Sequence, residues 1–145
     1  MKFVINMIIL ILLFIADVKA QQPPDTILPP EIVIEFKGRF NNVNPGEWTK
    51  SGENYVITFL KEAKWYEVTY SKKAKMLGLN ILINYDALPD PVKKKFDSSP
   101  YKDFDIQKIL EIQTADQKKN YQITVLNANE EELIILYNDT GELLK

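Results

Sequence analysis

The sequence predicts an α+β fold: a tandem repeat of one helix packed on an antiparallel sheet of about four strands. Two observations carry that reading. A Leu-Pro dipeptide followed by an apolar stripe of helical spacing occurs twice, about 60 residues apart. Each copy is followed, in the same order, by two tyrosine-containing runs that alternate with period two. A third observation bears on how the fold is held. The chain of 145 residues contains no Cys, so neither a disulfide nor a thiolate metal site supports it, and packing must suffice.

The elements follow in chain order. Met1-Lys2 is a short basic start, residues 4–16 are apolar except for Asn6, and Val18-Lys19-Ala20 offers modest side chains to a signal peptidase. The apolar core of 13 residues is too short to span a bilayer of about 30 Å and fits a secretory signal, residues 1–20, cleaved after Ala20. No Cys follows it to carry a lipid. Residues 21–27, with Pro23-Pro24, read as a tether. The first repeat is predicted over 28–86. Leu28-Pro29-Pro30 opens a helix, because proline's missing N–H would have no partner in the first turn. Ile32, Phe36 and Phe40 form its buried stripe, with Val33 beside them and Ile34 as the odd member. Asn54 to Leu60 and Trp65 to Tyr70 are predicted strands, with Tyr55, Ile57, Phe59, Tyr66, Val68 and Tyr70 facing the helix. Leu77, Leu79, Ile81, Ile83 and Tyr85 share one side of a long run that joins the two halves. The second repeat is predicted over 87–145. Leu88-Pro89 with Val92 and Phe96 restarts the helix, shortened near Pro100, with Tyr101 or Phe104 closing its apolar layer. Strands Tyr121 to Leu126 and Glu132 to Tyr137 follow, Tyr121, Ile123, Val125, Leu133, Ile135 and Tyr137 facing inward. Turn residues stand at 50–53, 127–129 and 138–141.

Composition narrows the chemistry. Without His or Cys there is no imidazole base, no thiol nucleophile and no ordinary catalytic zinc centre. Asp97, Asp103 and Asp105 read as a polar loop after the second helix, since no calcium-loop motif accompanies them. Lys93-Lys94-Lys95 reads as a solvated helix face. Beyond residue 20 the chain carries 16 basic and 19 acidic side chains, a charge of −3 that argues against nucleic acid as a partner. No cofactor, metal or catalytic residue is predicted. Alternation assigns a second, open face to the sheet, where Val56, Leu60, Trp65, Glu67, Leu126, Ile134 and Leu136 would stand. That face is more apolar than solvation requires, and Trp65 is its natural centre.

The chain resembles the exported PepSY-like family, also described as beta-lactamase-inhibitor-like, of Bacteroidetes-type bacteria. The resemblance spans about residues 28–145. It rests on Leu28-Pro29 with Ile32, Phe36 and Phe40, on Glu47-Trp48, and on Asn54 to Phe59. It continues through Tyr66 to Tyr70, Leu88-Pro89 with Val92 to Phe96, Tyr121 to Val125, and Thr140 to Leu144. Ser71 to Ala74 departs from the family's Asp/Gly hairpin turn. The resemblance implies a beta-lactamase-inhibitor-like tandem fold, a periplasmic or secreted protein, and no catalytic set. Asp25-Thr26-Ile27 resembles the short acceptor sequence for O-glycosylation in such bacteria. The expected function is a non-enzymatic exported module that binds an extracytoplasmic protein or peptide on its open face, with enzyme inhibition a special case implied by fold alone. No transmembrane span remains after cleavage. The alternatives are an envelope structural protein without a discrete ligand and a carboxylate-dependent hydrolase.

Overall fold

The computed structural model describes residues 27–145. The predicted signal sequence, its cleavage point and the tether up to residue 26 lie outside the described residues. The elements run α1 (Pro30–Arg39), β1 (Glu47–Ser51), β2 (Asn54–Lys61), β3 (Lys64–Ser71), β4 (Met76–Ile83), a 3-10 turn (Tyr85–Ala87), α2 (Asp90–Asp97), β5 (Asp105–Thr114), β6 (Lys119–Leu126) and β7 (Glu132–Asn138). The strands form one seven-stranded sheet in chain order, and every neighbouring pair is antiparallel. Both helices pack on one face.

Each helix starts on a proline carbonyl rather than on a side-chain cap. Ile32 and Val33 donate to the Pro29 carbonyl at 3.0 and 3.1 Å, and Lys93 donates to that of Pro89 at 3.0 Å. Beneath each helix lies its own buried cluster, and the two correspond position by position. Leu28, Ile32 and Phe36 match Leu88, Val92 and Phe96; Tyr55, Ile57 and Phe59 match Tyr121, Ile123 and Val125; Val68 and Tyr70 match Ile135 and Tyr137. All sixteen are buried, so alternation in the strands and the four-residue stripe in the helices assign the core correctly. Tyr101 and Phe104 close the second cluster as expected, where α2 has 8 residues against 10 in α1.

Four hairpin loops share one backbone pattern. In each, the fourth residue donates to the carbonyl of the first and has a left-handed φ: Ala74 on Ser71, Gln117 on Thr114, Glu130 on Asn127, and Gly141 on Asn138. A type I turn followed by one left-handed residue suits a three-residue hairpin loop. The Ser71 hydroxyl accepts from the backbone of Lys73 and Lys75 at 3.3 and 3.2 Å, as Asn127 and Asn138 do with their amide oxygens. The Ser71–Ala74 departure therefore still closes a hairpin.

Several expectations are corrected. Residues 105–114 form β5, the longest strand, which was not predicted; of the three aspartates read as a polar loop, Asp97 ends α2, Asp105 begins β5 and only Asp103 stays in the turn between them. A register shift between Ile106 and Lys108 breaks its period-two signal. Residues 47–51 form the edge strand β1, so the turn before β2 is confined to Gly52 and Glu53. In β4, Met76 packs on the first cluster while Leu77 is 38% exposed, because a bulge at Thr69/Tyr70 shifts the register. The joining element is the β4–β5 ladder, and the 3-10 turn separates β4 from α2. Four strands follow α1 but three follow α2; beyond β7, Leu144 donates to the Leu136 carbonyl at 2.7 Å and Leu136 to that of Lys145 at 2.9 Å.

Candidate functional site

The face opposite the helices is built by the residues that alternate with the core. Its register can be read in rows. One row runs Glu47, Thr58, Glu67, Asn80, Ile112, Asn120, Asn138 across all seven strands. A second pairs Leu60 with Trp65 and runs Leu82, Leu110, Gln122, Leu136 through β4 to β7. A third sets Lys108, Thr124 and Ile134 side by side. Among the described residues no helix covers these rows.

Each predicted face residue lies on this side. Leu60 and Trp65 are each 53% exposed and Ile134 46%, Glu67 is exposed, and Val56, Leu126 and Leu136 are half-buried by their neighbours. Thr124 stands on the same face but is buried there by its neighbours, with Gln122 Nε2 at 3.4 Å from its hydroxyl. Sequence reasoning did not name Leu82, Leu110 and Ile112. Alternation in β4 could have found Leu82, but the other two stand on the unrecognised β5.

The chain tightens at the rim near Trp65. Gly46 enters β1 so close to β2 that an added Cβ would stand 2.3 Å from the Thr58 carbonyl oxygen, so only glycine fits. Beside it opens a groove of about 320 Å³ lined by Asn44, Gly46, Glu47, Thr58, Phe59, Leu60 and Trp65. β1 pairs with β2 only as far as Thr58, whereas β2 continues to Lys61. A second hollow, about 430 Å³, lies on the helix side between α2 and the segment after β7, lined by Lys95, Ser99, Tyr137 and residues 140–143. At its edge Gly141 comes so close to α2 that an added Cβ would stand 2.6 Å from the Pro91 carbonyl oxygen.

The arrangement offers contact area rather than reaction chemistry. Each groove is lined by a single carboxylate, Glu47 or Glu142, whereas glycoside hydrolysis by carboxylates ordinarily uses a facing pair. Among the described residues no three His, Cys, Asp or Glu side chains gather in a way that could hold a metal ion, and no helix is long and apolar enough to cross a membrane. The clearest perturbed ionisations have structural causes. Burial, with help from the Asp97 carboxylate that its hydroxyl donates to, pushes Tyr85 up to about 12. Burial also raises Tyr70, and the Glu35 carboxylate beside its hydroxyl adds to this, although neither the hydroxyl nor Glu35 Oε2 makes a hydrogen bond of full geometry. Burial alone would raise Glu111, but Lys119 at 2.9 Å and Gln113 at 2.8 Å hold it below its ordinary value.

Solved structures share this arrangement. A DUF2874 family protein from Bacteroides uniformis matches with a TM-score of 0.78 at 21% identity, over 82% of this chain and 88% of its own. A proposed periplasmic protein from Bacteroides eggerthii matches at 0.77 and 21%, over 82% and 87%. A BLIP-like protein from Bacteroides fragilis matches at 0.73 and 21%, over 83% and 86%. The likeness is one of fold. No family model and no curated protein matches the sequence.

Proposed function

We propose that the protein is a non-enzymatic, exported binding module, periplasmic or secreted, that holds a protein or peptide on the open face of its sheet. It is built from two repeats, residues 28–86 and 87–145, whose pooled sheet supplies the width of that face. The carrying observation is the row of Leu60, Trp65, Leu82 and Leu110, apolar from β2 to β5 and resumed by Leu136 on β7 beyond Gln122 of β6, with Trp65 half in solvent. An antiparallel sheet that meets water on one side ordinarily alternates to polar residues there, and an apolar stripe across four adjacent strands marks an interaction surface. Export is supported by the apolar run 4–16 ahead of Val18-Lys19-Ala20. The inhibitor version draws support only from the sequence resemblance and from the BLIP-like description of the Bacteroides fragilis structure.

The test compares Trp65 with Phe59, neighbours on adjacent strands that point to opposite faces. A partner is first captured from envelope and culture fractions with the wild-type protein. Trp65→Ala should then weaken its binding by about 2 kcal/mol, as an aromatic hot spot does, with little change in the melt. Phe59→Ala, only 2% exposed in the core, should lower the melt and reduce binding only with the folded fraction. Early melting of Trp65→Ala with normal binding by its folded molecules would contradict the reading.

A further inference from the structure

We infer that the partner presents a cationic segment, a Lys or Arg beside an aliphatic or aromatic anchor, to the β1–β3 part of the open face. The inference rests on the binding reading above and adds the chemistry of what is bound. Alternation sorts the charges of the first four strands by face. Their cations, Lys50, Lys61 and Lys64, share parity with Trp48, Phe59 and Tyr66 and so stand on the helix side. The open side keeps only Glu47 and Glu67, with no cation among the strand residues around them.

These two carboxylates flank Thr58 in one row, two strand spacings apart, or about 10 Å. Neither belongs to an ion pair among the described residues. Glu67 Oε1 accepts from Asn80 Nδ2 at 3.0 Å, which orients it without neutralising it. One row away lie Leu60 and Trp65, and Glu47, Leu60 and Trp65 line the same groove. An apolar anchor that fills the groove would bring its neighbouring residues over the carboxylates. A guanidinium there satisfies two demands at once: it pairs with a carboxylate through parallel N–H donors, and it stacks on the indole face. An acidic segment in the same place would be repelled.

The same charges disfavour a second copy as the occupant. Stacked face to face, two copies would set this acidic region against itself or against the β5–β7 half. That half carries Asp105 and Glu132 on its open face and Lys108 as its only cation there.

The experiment selects a random displayed-peptide library on the immobilised protein and titrates one selected peptide against variants. Selected sequences should place Lys or Arg within a few residues of an aromatic or aliphatic side chain. The double variant Glu47→Gln with Glu67→Gln should weaken the peptide about 5-fold, as two partly exposed pairs allow. Raising salt from about 50 to about 500 mM should weaken the wild type more than the double variant. Selection of uncharged or acidic peptides, or of none, would overturn the inference, as would equal affinity for the double variant. If Trp65→Ala abolishes binding while the double variant binds normally, the face reading stands and the cationic inference falls. If neither change matters, both fall. Sedimentation of a dimer that the double variant strengthens would identify a second copy as the occupant and overturn the inference.

Discussion

The half built by α1 and β1–β4 and the half built by α2 and β5–β7 bury matching positions with different side chains. In the first, the rings of Phe36, Phe40, Phe59 and Tyr66 form a continuous group with centroid distances from 4.7 to 5.2 Å. In the second, Val125 takes the place of Phe59, and Phe96 meets Tyr85 at 6.3 Å. Buried positions keep their hydrophobic character because any polar group there would lose its water without a partner. The open face is under no such constraint, and there the halves diverge most: acidic around Trp65 in one, and of mixed charge in the other, where Lys108 stands with Asp105 and Glu132. Packing fixes what the halves share, and solvent leaves room for what differs.

The comparison can be broken most severely at its matched anchors. Phe36→Ala and Phe96→Ala should each cost about 3–5 kcal/mol, since both rings are essentially inaccessible. Phe36→Ala should lie at the upper end, because it also loosens Phe40 and Phe59. Urea unfolding of the two variants checks this, and a loss under about 1 kcal/mol in either would refute the matched roles.

A smaller effect distinguishes the hairpins. Gly141→Ala should destabilise by about 2 kcal/mol or more, because its Cβ would stand 2.6 Å from the Pro91 carbonyl oxygen at a left-handed φ. At the equivalent loop positions Ala74→Gly, Gln117→Gly and Glu130→Gly should each stabilise by up to about 1 kcal/mol, by relieving left-handed strain. Thermal melts of the four variants should show the opposite signs.

The tyrosines at matched positions differ as well. The Tyr70 hydroxyl faces the Glu35 carboxylate without a hydrogen bond of full geometry, so Tyr70→Phe should change stability by less than about 1 kcal/mol. Tyr137 has the Ser99 hydroxyl beside it, and no carboxylate acts on it, so Tyr137→Phe should cost at most about 1 kcal/mol by urea denaturation.

The smallest effect lies in the second half, beside the β4–β5 seam. Glu111 on β5 pairs with Lys119 on β6, and its folded carboxyl is depressed while the ammonium is raised. The carboxylate's contribution is therefore present above its ordinary value of 4.5 and is lost as pH falls through the lower folded value. The ammonium's contribution is present below its ordinary value of 10.5 and is lost as pH rises through the higher folded value. A double-mutant cycle of Glu111→Gln and Lys119→Met should give about 0.5 kcal/mol at pH 7, reduced because Lys119 is half exposed. The coupling should vanish at strongly acidic pH.

What the sequence reveals follows the strength of periodicity. Strands with aromatic and β-branched alternation, such as Tyr55 to Phe59 and Tyr121 to Val125, assign their own faces. The central β5 does not, because the bulge at Gln107 resets its parity and Glu111 and Gln113 occupy the helix side near the seam. The β2–β3 turn hides for another reason: Glu62 and Ala63 both adopt left-handed φ without the Asn or Gly that would announce it. Trp65 was legible from alternation alone. The groove beside it was not, since it depends on the entry of Gly46 against Thr58.

The most direct test of the open face follows the light emitted by Trp65. Trp48→Phe leaves it the only tryptophan in the chain. In the free protein Trp65 should emit at long wavelength and be readily quenched by acrylamide, as a half-exposed indole is. Saturation with the captured partner should shift the emission to shorter wavelength and shield the ring from quenching. An indole already shielded in the free protein, or one as accessible with the partner bound as without it, would contradict the account.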